Sequence, residues 1–138
     1  MEEKLTRREV REGAFIILYQ TMFGQSVKDI TEADVEAFDL ARNNETDAIV
    51  HGVLAHDEEI TGIIAKYSTT RSVARISKVN LVIMKIAIYE IKYNDKVPGA
   101  AAINEAVELG KKYAYKQDCG FINGVLNSYL EEFENDRD

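Results

Sequence analysis

The sequence has no tryptophan, one cysteine and one proline. A lone thiol, Cys119, cannot close a disulfide within the chain, so a stapled scaffold is excluded and a reducing compartment is the default. With Pro98 as the one proline, helix-breakers are scarce. No apolar run approaches the roughly 18 residues that a membrane span needs. The first eleven residues are charged and contain no apolar stretch of the kind a secretory signal carries. Of the 138 residues, 46% are apolar and 30% charged, which suits one globular domain and excludes collagen-like or wholly disordered chains.

Positive charge is also in short supply. Lys and Arg number 17 against 24 acids, for a net charge of −7. The acids are concentrated, however. Residues 24–61 carry ten acids and two bases, and residues 131–138 carry five acids and one base. Residues 62–130 reverse the sign, with ten bases and five acids. A phosphate feels charge within a Debye length of about 8 Å more than the molecular total. A nucleic-acid site is therefore compatible with this composition, though composition does not propose one.

The apolar pattern is helical almost throughout, and the fold class it predicts is all-α. Thr6 and Glu9 form a capping box that opens a first helix through about Phe23. Thr31 and Asp34 suggest a second helix through Ala41, and Glu45 to Lys66 reads as one long third helix. Ser68 to Thr70 is a polar break. A short helix over Arg71 to Ile76 precedes one capped by Ser77 that runs to about Tyr93 and is apolar nearly all round, as the centre of a bundle would be. A sixth helix starts at Pro98, and a last one carries Phe121, Ile122, Val125, Leu126 and Tyr129 on one face. The expectation is about seven helices in two packed bundles, with lobes of about 1–67 and 71–135. The acidic end, 131–138, is expected to be frayed.

Catalytic and metal chemistry finds little support. His51 and His56 lie five apart and do not share a helical face as an i, i+4 ligand pair would. No second cysteine is present, no glycine-rich loop follows a strand, and Glu105 with Glu108 reads as a solvated helix face. No cofactor or metal is predicted. Two basic features stand out instead. Lys4, Arg7, Arg8 and Arg11 follow helical spacing and would form one cationic stripe if the first helix reached its start. Lys111, Lys112 and Lys116 precede Phe121, with Tyr115 on the other side of the same loop. Aromatics beside bases can stack on unpaired nucleotides.

Four strings carry a more specific signal. They are Arg7, Arg8, Arg11, Glu12 and Ala14 with Leu18–Tyr19–Gln20, then Lys85 to Ile91, then Ile103 to Leu109 after Val97–Pro98, and finally Phe121 to Leu126. In this order, on an all-helical chain, they resemble the NusB family of bacterial transcription antitermination factors. The resemblance spans almost the whole sequence. It implies a non-enzymatic, cytoplasmic protein that binds boxA-type single-stranded RNA together with the ribosomal protein NusE. Such a protein helps RNA polymerase, within an antitermination complex, to read through ribosomal RNA operons. Carried over, the RNA-binding element implicates Arg7, Arg8 and Arg11, to which helical spacing adds Lys4, with Tyr19, Lys116 and Phe121 beside the RNA path. The NusE contact implicates Arg75, Lys78, Asn80 and Met84. Asn80 stands where an acidic residue is expected toward NusE. Two further readings compete. The same domain type fronts ribosomal RNA cytosine methyltransferases, which need a large downstream domain, so a chain ending at Asp138 is expected to match them only if truncated. A self-associating helical protein, with the arginine stripe in a homodimer interface, is the other.

Overall fold

The computed structural model describes residues 4–37 and 41–136. Among the described residues are seven α-helices, one 3-10 turn and no strand. The helices are α1 (Arg7–Thr21), α2 (Val27–Ala37), α3 (Asn44–Ala55), α4 (Asp57–Tyr67), α5 (Lys78–Tyr93), α6 (Gly99–Tyr113) and α7 (Asp118–Asp136), with the 3-10 turn at Val73–Arg75. None is long and apolar enough to cross a membrane.

Helix α1 begins where its capping residues dictate. The Thr6 hydroxyl accepts from the Glu9 backbone N–H (3.1 Å), and the Glu9 carboxylate accepts from the Thr6 N–H (3.0 Å). Lys4 therefore lies outside the helix, and the stripe predicted to start there begins at Arg7. Gly24 follows the helix with φ of +90°, a conformation that a Cβ would strain. Helix α2 starts earlier than Thr31. Ser26 caps it by accepting from Asp29 N–H (3.1 Å), and the Thr31 hydroxyl sits mid-helix, donating to Val27 O. The predicted end, Ala41, is not helical, α2 is described to Ala37, and residues 38–40 lie outside the described residues.

The long third helix is in fact two. It breaks at His56, whose backbone (φ −112°, ψ 20°) leaves the helical region, and Asp57, Glu58 and Glu59 then crowd the first turn of α4. Acids in a first turn favour a helix start because the N-terminal end of the helix dipole is positive. The segment expected as a short helix before α5 is only a 3-10 turn, and α7 begins at Asp118, three residues before Phe121. Helix α7 continues to Asp136 through most of the stretch expected to fray. There Glu132 accepts from Lys66 (3.0 Å) and from the Tyr67 hydroxyl.

Helix α5 is the axis of the fold. It packs against α1, α3, α4, α6 and α7. Ile83, Met84 and Ile88 on it are fully buried, and Ser77 caps its start by accepting from Asn80 N–H (3.2 Å). Burial of side chains of this size is worth about 1.5–3 kcal/mol each, which is why an almost wholly apolar helix settles at the centre. Two lysines on α5 are matched by acids: Lys85 Nζ lies 2.8 Å from Asp57 and Lys92 Nζ 2.8 Å from Glu59. Gly52 on α3 lets the Tyr89 ring lie against the helix, where a Cβ would come within 2.3 Å of it.

Candidate nucleic-acid interface

The arginine-bearing turn of α1 divides into three environments. Arg7 is exposed and makes no ion pair among the described residues. Arg8 is exposed as well, but its Nε and Nη2 both donate to the Glu105 carboxylate at 3.0 Å. This pairing raises the Arg8 pKa and holds the Glu105 carboxyl below its ordinary range. Arg11 is buried. Its guanidinium donates through Nε (2.8 Å) and Nη2 (2.9 Å) to both oxygens of Glu90, which is buried too. Burial disfavours the charged Arg11, but the hydrogen bonds and negative charge of Glu90 outweigh it and keep the pKa above its ordinary value. The four-residue cationic stripe is thus corrected: Lys4 precedes the helix, Arg7 and Arg8 reach solvent, and Arg11 is locked inside.

Helix α1 is stitched to the end of α6 by a second group of contacts. Lys112 Nζ (2.5 Å) and the Tyr113 hydroxyl both donate to Glu12. Together they hold the Glu12 carboxyl below its usual range. The Tyr113 ring lies 4.7 Å from Phe15, which stacks on Tyr19 at 6.0 Å, and Tyr19 meets the edge of Phe23 at 5.1 Å. Tyr19 is half-buried and Phe23 is 61% exposed. Arg8, Glu12, Phe15 and Tyr19 follow one another along α1 at helical spacing, and of the rings from Tyr113 to Phe23, Phe15 is buried while Tyr19 and Phe23 reach the surface.

The loop between α6 and α7 adjoins these residues through Tyr113. Lys116 is exposed there and its ammonium has no ion-pair partner among the described residues. Phe121 is only partly exposed, and the Arg71 guanidinium covers its ring at 4.4 Å while bonding Asp118 at 3.2 Å. Tyr115, by contrast, is 76% exposed. Of the two aromatics flanking the loop, Tyr115 presents the open ring. The signal for it is a position in a polar loop outside the apolar helical period, whereas Phe121 lies within that period.

The residues carried over for a protein partner also divide. Arg75 and Lys78 are exposed, and Lys78 Nζ sits 5.5 Å from the centre of the exposed Phe23 ring. Asn80 and Met84 are buried at 1% and 0% exposure and cannot touch a partner from the surface. The Asn80 amide has no hydrogen-bond partner for its side-chain nitrogen or oxygen. Among the described residues no group of three His, Cys, Asp or Glu side chains is arranged to hold a metal ion.

The NusB family model matches residues 8–131. The transcription antitermination protein NusB of Acetivibrio thermocellus is 40% identical over 131 residues, covering 91% of this chain and 88% of the relative. That of Enterococcus faecalis is 32% identical, covering 96% and 94%. T. maritima NusB superposes with a TM-score of 0.81 over 94% of each chain at 24% identity. A crystal structure of antitermination factors NusB and NusE in complex with dsRNA matches with a TM-score of 0.79 and 25% identity, over 91% of this chain and 96% of that one. The class is therefore that of an all-helical transcription antitermination factor, which is not an enzyme. The chain belongs to the NusB family.

Proposed function

We propose that this chain is the RNA-holding subunit of a cytoplasmic antitermination complex. It binds boxA-type single-stranded RNA jointly with NusE and promotes read-through by RNA polymerase in ribosomal RNA operons. The observation that carries the reading is the row of contacts by which Arg8, Tyr19 and the 114–117 loop are joined through Glu12, Phe15 and Tyr113. Unpaired RNA is recognised by phosphate charge together with stacking on aromatic rings, and the exposed residues here offer both. Lys4, Arg7, Arg8 and Lys116 supply exposed cations, Tyr19 and Tyr115 supply rings, and Phe121 with Arg71 shapes the loop. Arg11 fixes the pitch of α1 against α5 without touching RNA. The NusE face is Arg75 and Lys78, with Phe23 beside them, while Asn80 and Met84 support that face from below.

A few cations on an acidic protein give weak binding alone. A second protein adding its own contacts raises affinity by linking two partial sites. The test is a titration of boxA-type RNA with this protein alone and with NusE present, at several salt concentrations. Tight, salt-sensitive binding that requires NusE supports the reading. Binding that ignores NusE, or that prefers no sequence, overturns it.

A further inference from the structure

On the other side of α1, facing α3 and the end of α5, lies a cleft of about 450 Å³ that shares only Arg7 with the RNA-binding residues proposed above. Its floor is apolar and buried, made by Val10, Ile49 and Val97. One wall is the half-buried Tyr89 ring, held in place by its close fit on Gly52. At its back the Arg11–Glu90 pair is closed on itself, each charge satisfying the other. Two cations with no ion-pair partner among the described residues, Arg7 and Lys96, line it as well, and Glu45 is the one opposing acid not already paired. The cleft falls within the size range of small-ligand sites, about 300–1,000 Å³.

The chemistry of this lining is that of a nucleotide. A ring-sized apolar floor beside an aromatic wall suits an unstacked base, and unpaired cations suit its phosphate. The charge balance selects among nucleotides. With the inner pair neutral, Arg7 and Lys96 against Glu45 leave one positive charge. A phosphodiester within a strand carries one negative charge. A terminal phosphate on a free nucleotide carries about 1.5–2 and would be left under-compensated. We propose that this cleft takes one nucleotide of a bound RNA strand, with its base on the apolar floor against Tyr89 and its phosphodiester between Arg7 and Lys96. The inference rests on the RNA-binding reading and extends it: Arg7 would be where the strand crosses α1, from the Arg8 edge to the α3 side.

Two variants test it by different means. Lys96→Ala removes an exposed cation at the cleft, and Ala48→Phe places a ring into the cleft from the exposed Ala48 on its lining. Both are checked by thermal melting for an intact fold, then titrated with single-stranded RNAs lengthened one nucleotide at a time from either end. In the wild-type protein one added nucleotide should raise affinity and steepen the log–log salt dependence by about 0.7, the increment for one phosphate on a single strand. Both variants should lose that increment while binding the shorter RNAs like the wild type. If both show the same increment as the wild type, the cleft is not a nucleotide site and the RNA-binding reading stands. If wild type binds no RNA of any length, with or without NusE, both fall. A parallel titration with a free nucleoside monophosphate settles the source. Lys96-dependent binding there without any RNA increment would overturn the strand assignment.

Discussion

Arg11 and Glu90 face each other inside the protein, 79 residues apart in sequence, with two hydrogen bonds of 2.8 and 2.9 Å between them. This pair fastens α1 to α5. Removing one partner strands a buried charge, so Arg11→Ala should cost about 3–5 kcal/mol in urea unfolding. Replacing both, as in Arg11→Met with Glu90→Leu, should recover most of that loss. A recovered double variant that still binds RNA would confirm that Arg11 positions the helix. Loss of RNA binding in a fully folded double variant would make Arg11 a contact after all.

Arg7→Ala with Arg8→Ala is expected to act differently. Both side chains reach solvent, so the melting temperature should stay close to wild type while RNA affinity falls. The log–log salt slope should flatten by about 0.7 for each phosphate that is no longer neutralised. An unchanged slope would remove this turn of α1 from the RNA path.

Tyr115 and Phe121 should separate by function and stability. Tyr115→Ala removes an open ring and should weaken RNA binding by about 1–3 kcal/mol, the range for one stacked base, with little change in folding. Phe121→Ala strips the surface on which Arg71 lies and should lower stability. If Tyr115→Ala binds RNA normally, stacking on this loop is not part of recognition.

Acid should loosen the seams before it melts the core. Glu12, Glu59, Glu105 and Glu132 are all held below the ordinary value of 4.5 by cationic or phenolic donors. A depressed carboxyl contributes stability that is present above its unfolded value and is lost as pH falls through the folded one. Stability should therefore be flat near neutrality and decline below about pH 4.5. Tyr129 works in the opposite range. Burial pushes it up to about 12, so its contribution disappears as pH rises from 10 toward that value. Absorbance titration of the tyrosines, with one late component lost in Tyr129→Phe, checks this.

Gly52→Ala is a small change with a defined obstacle, since the new methyl would meet the Tyr89 ring. Overpacking of this kind costs about 1–3 kcal/mol. Gly52→Ala with Tyr89→Leu should be less damaged than Gly52→Ala alone if the clash is the cause.

Much of the architecture is written in local chemistry. The Thr6–Glu9 box, the Ser77 cap and the greasy Lys78–Tyr93 helix all stand where their residue types demand them. The break at His56 is harder to see because the apolar period runs on across it, although the acidic triplet at 57–59 marks a new start. Arg11 departs from its expected place for an instructive reason. Its own spacing puts it four and seven residues before Phe15 and Leu18, on the buried stripe, and Glu90 is the one acid on the largely apolar α5. A charge in each of two apolar settings is the signature of a concealed pair, and only three-dimensional proximity can match the two. Resemblance alone puts Asn80 and Met84 on the surface, whereas the all-round burial of α5 points inward.

Because α5 touches five of the six other helices and is dry along most of its length, the described helices form a single closely packed block. A block of this kind has little room to relay a shape change from one flank to the other. On the function proposed above, mutual reinforcement between the RNA and the protein partner is expected where those two ligands meet each other, beside Phe23, with this chain as the jig that sets their spacing.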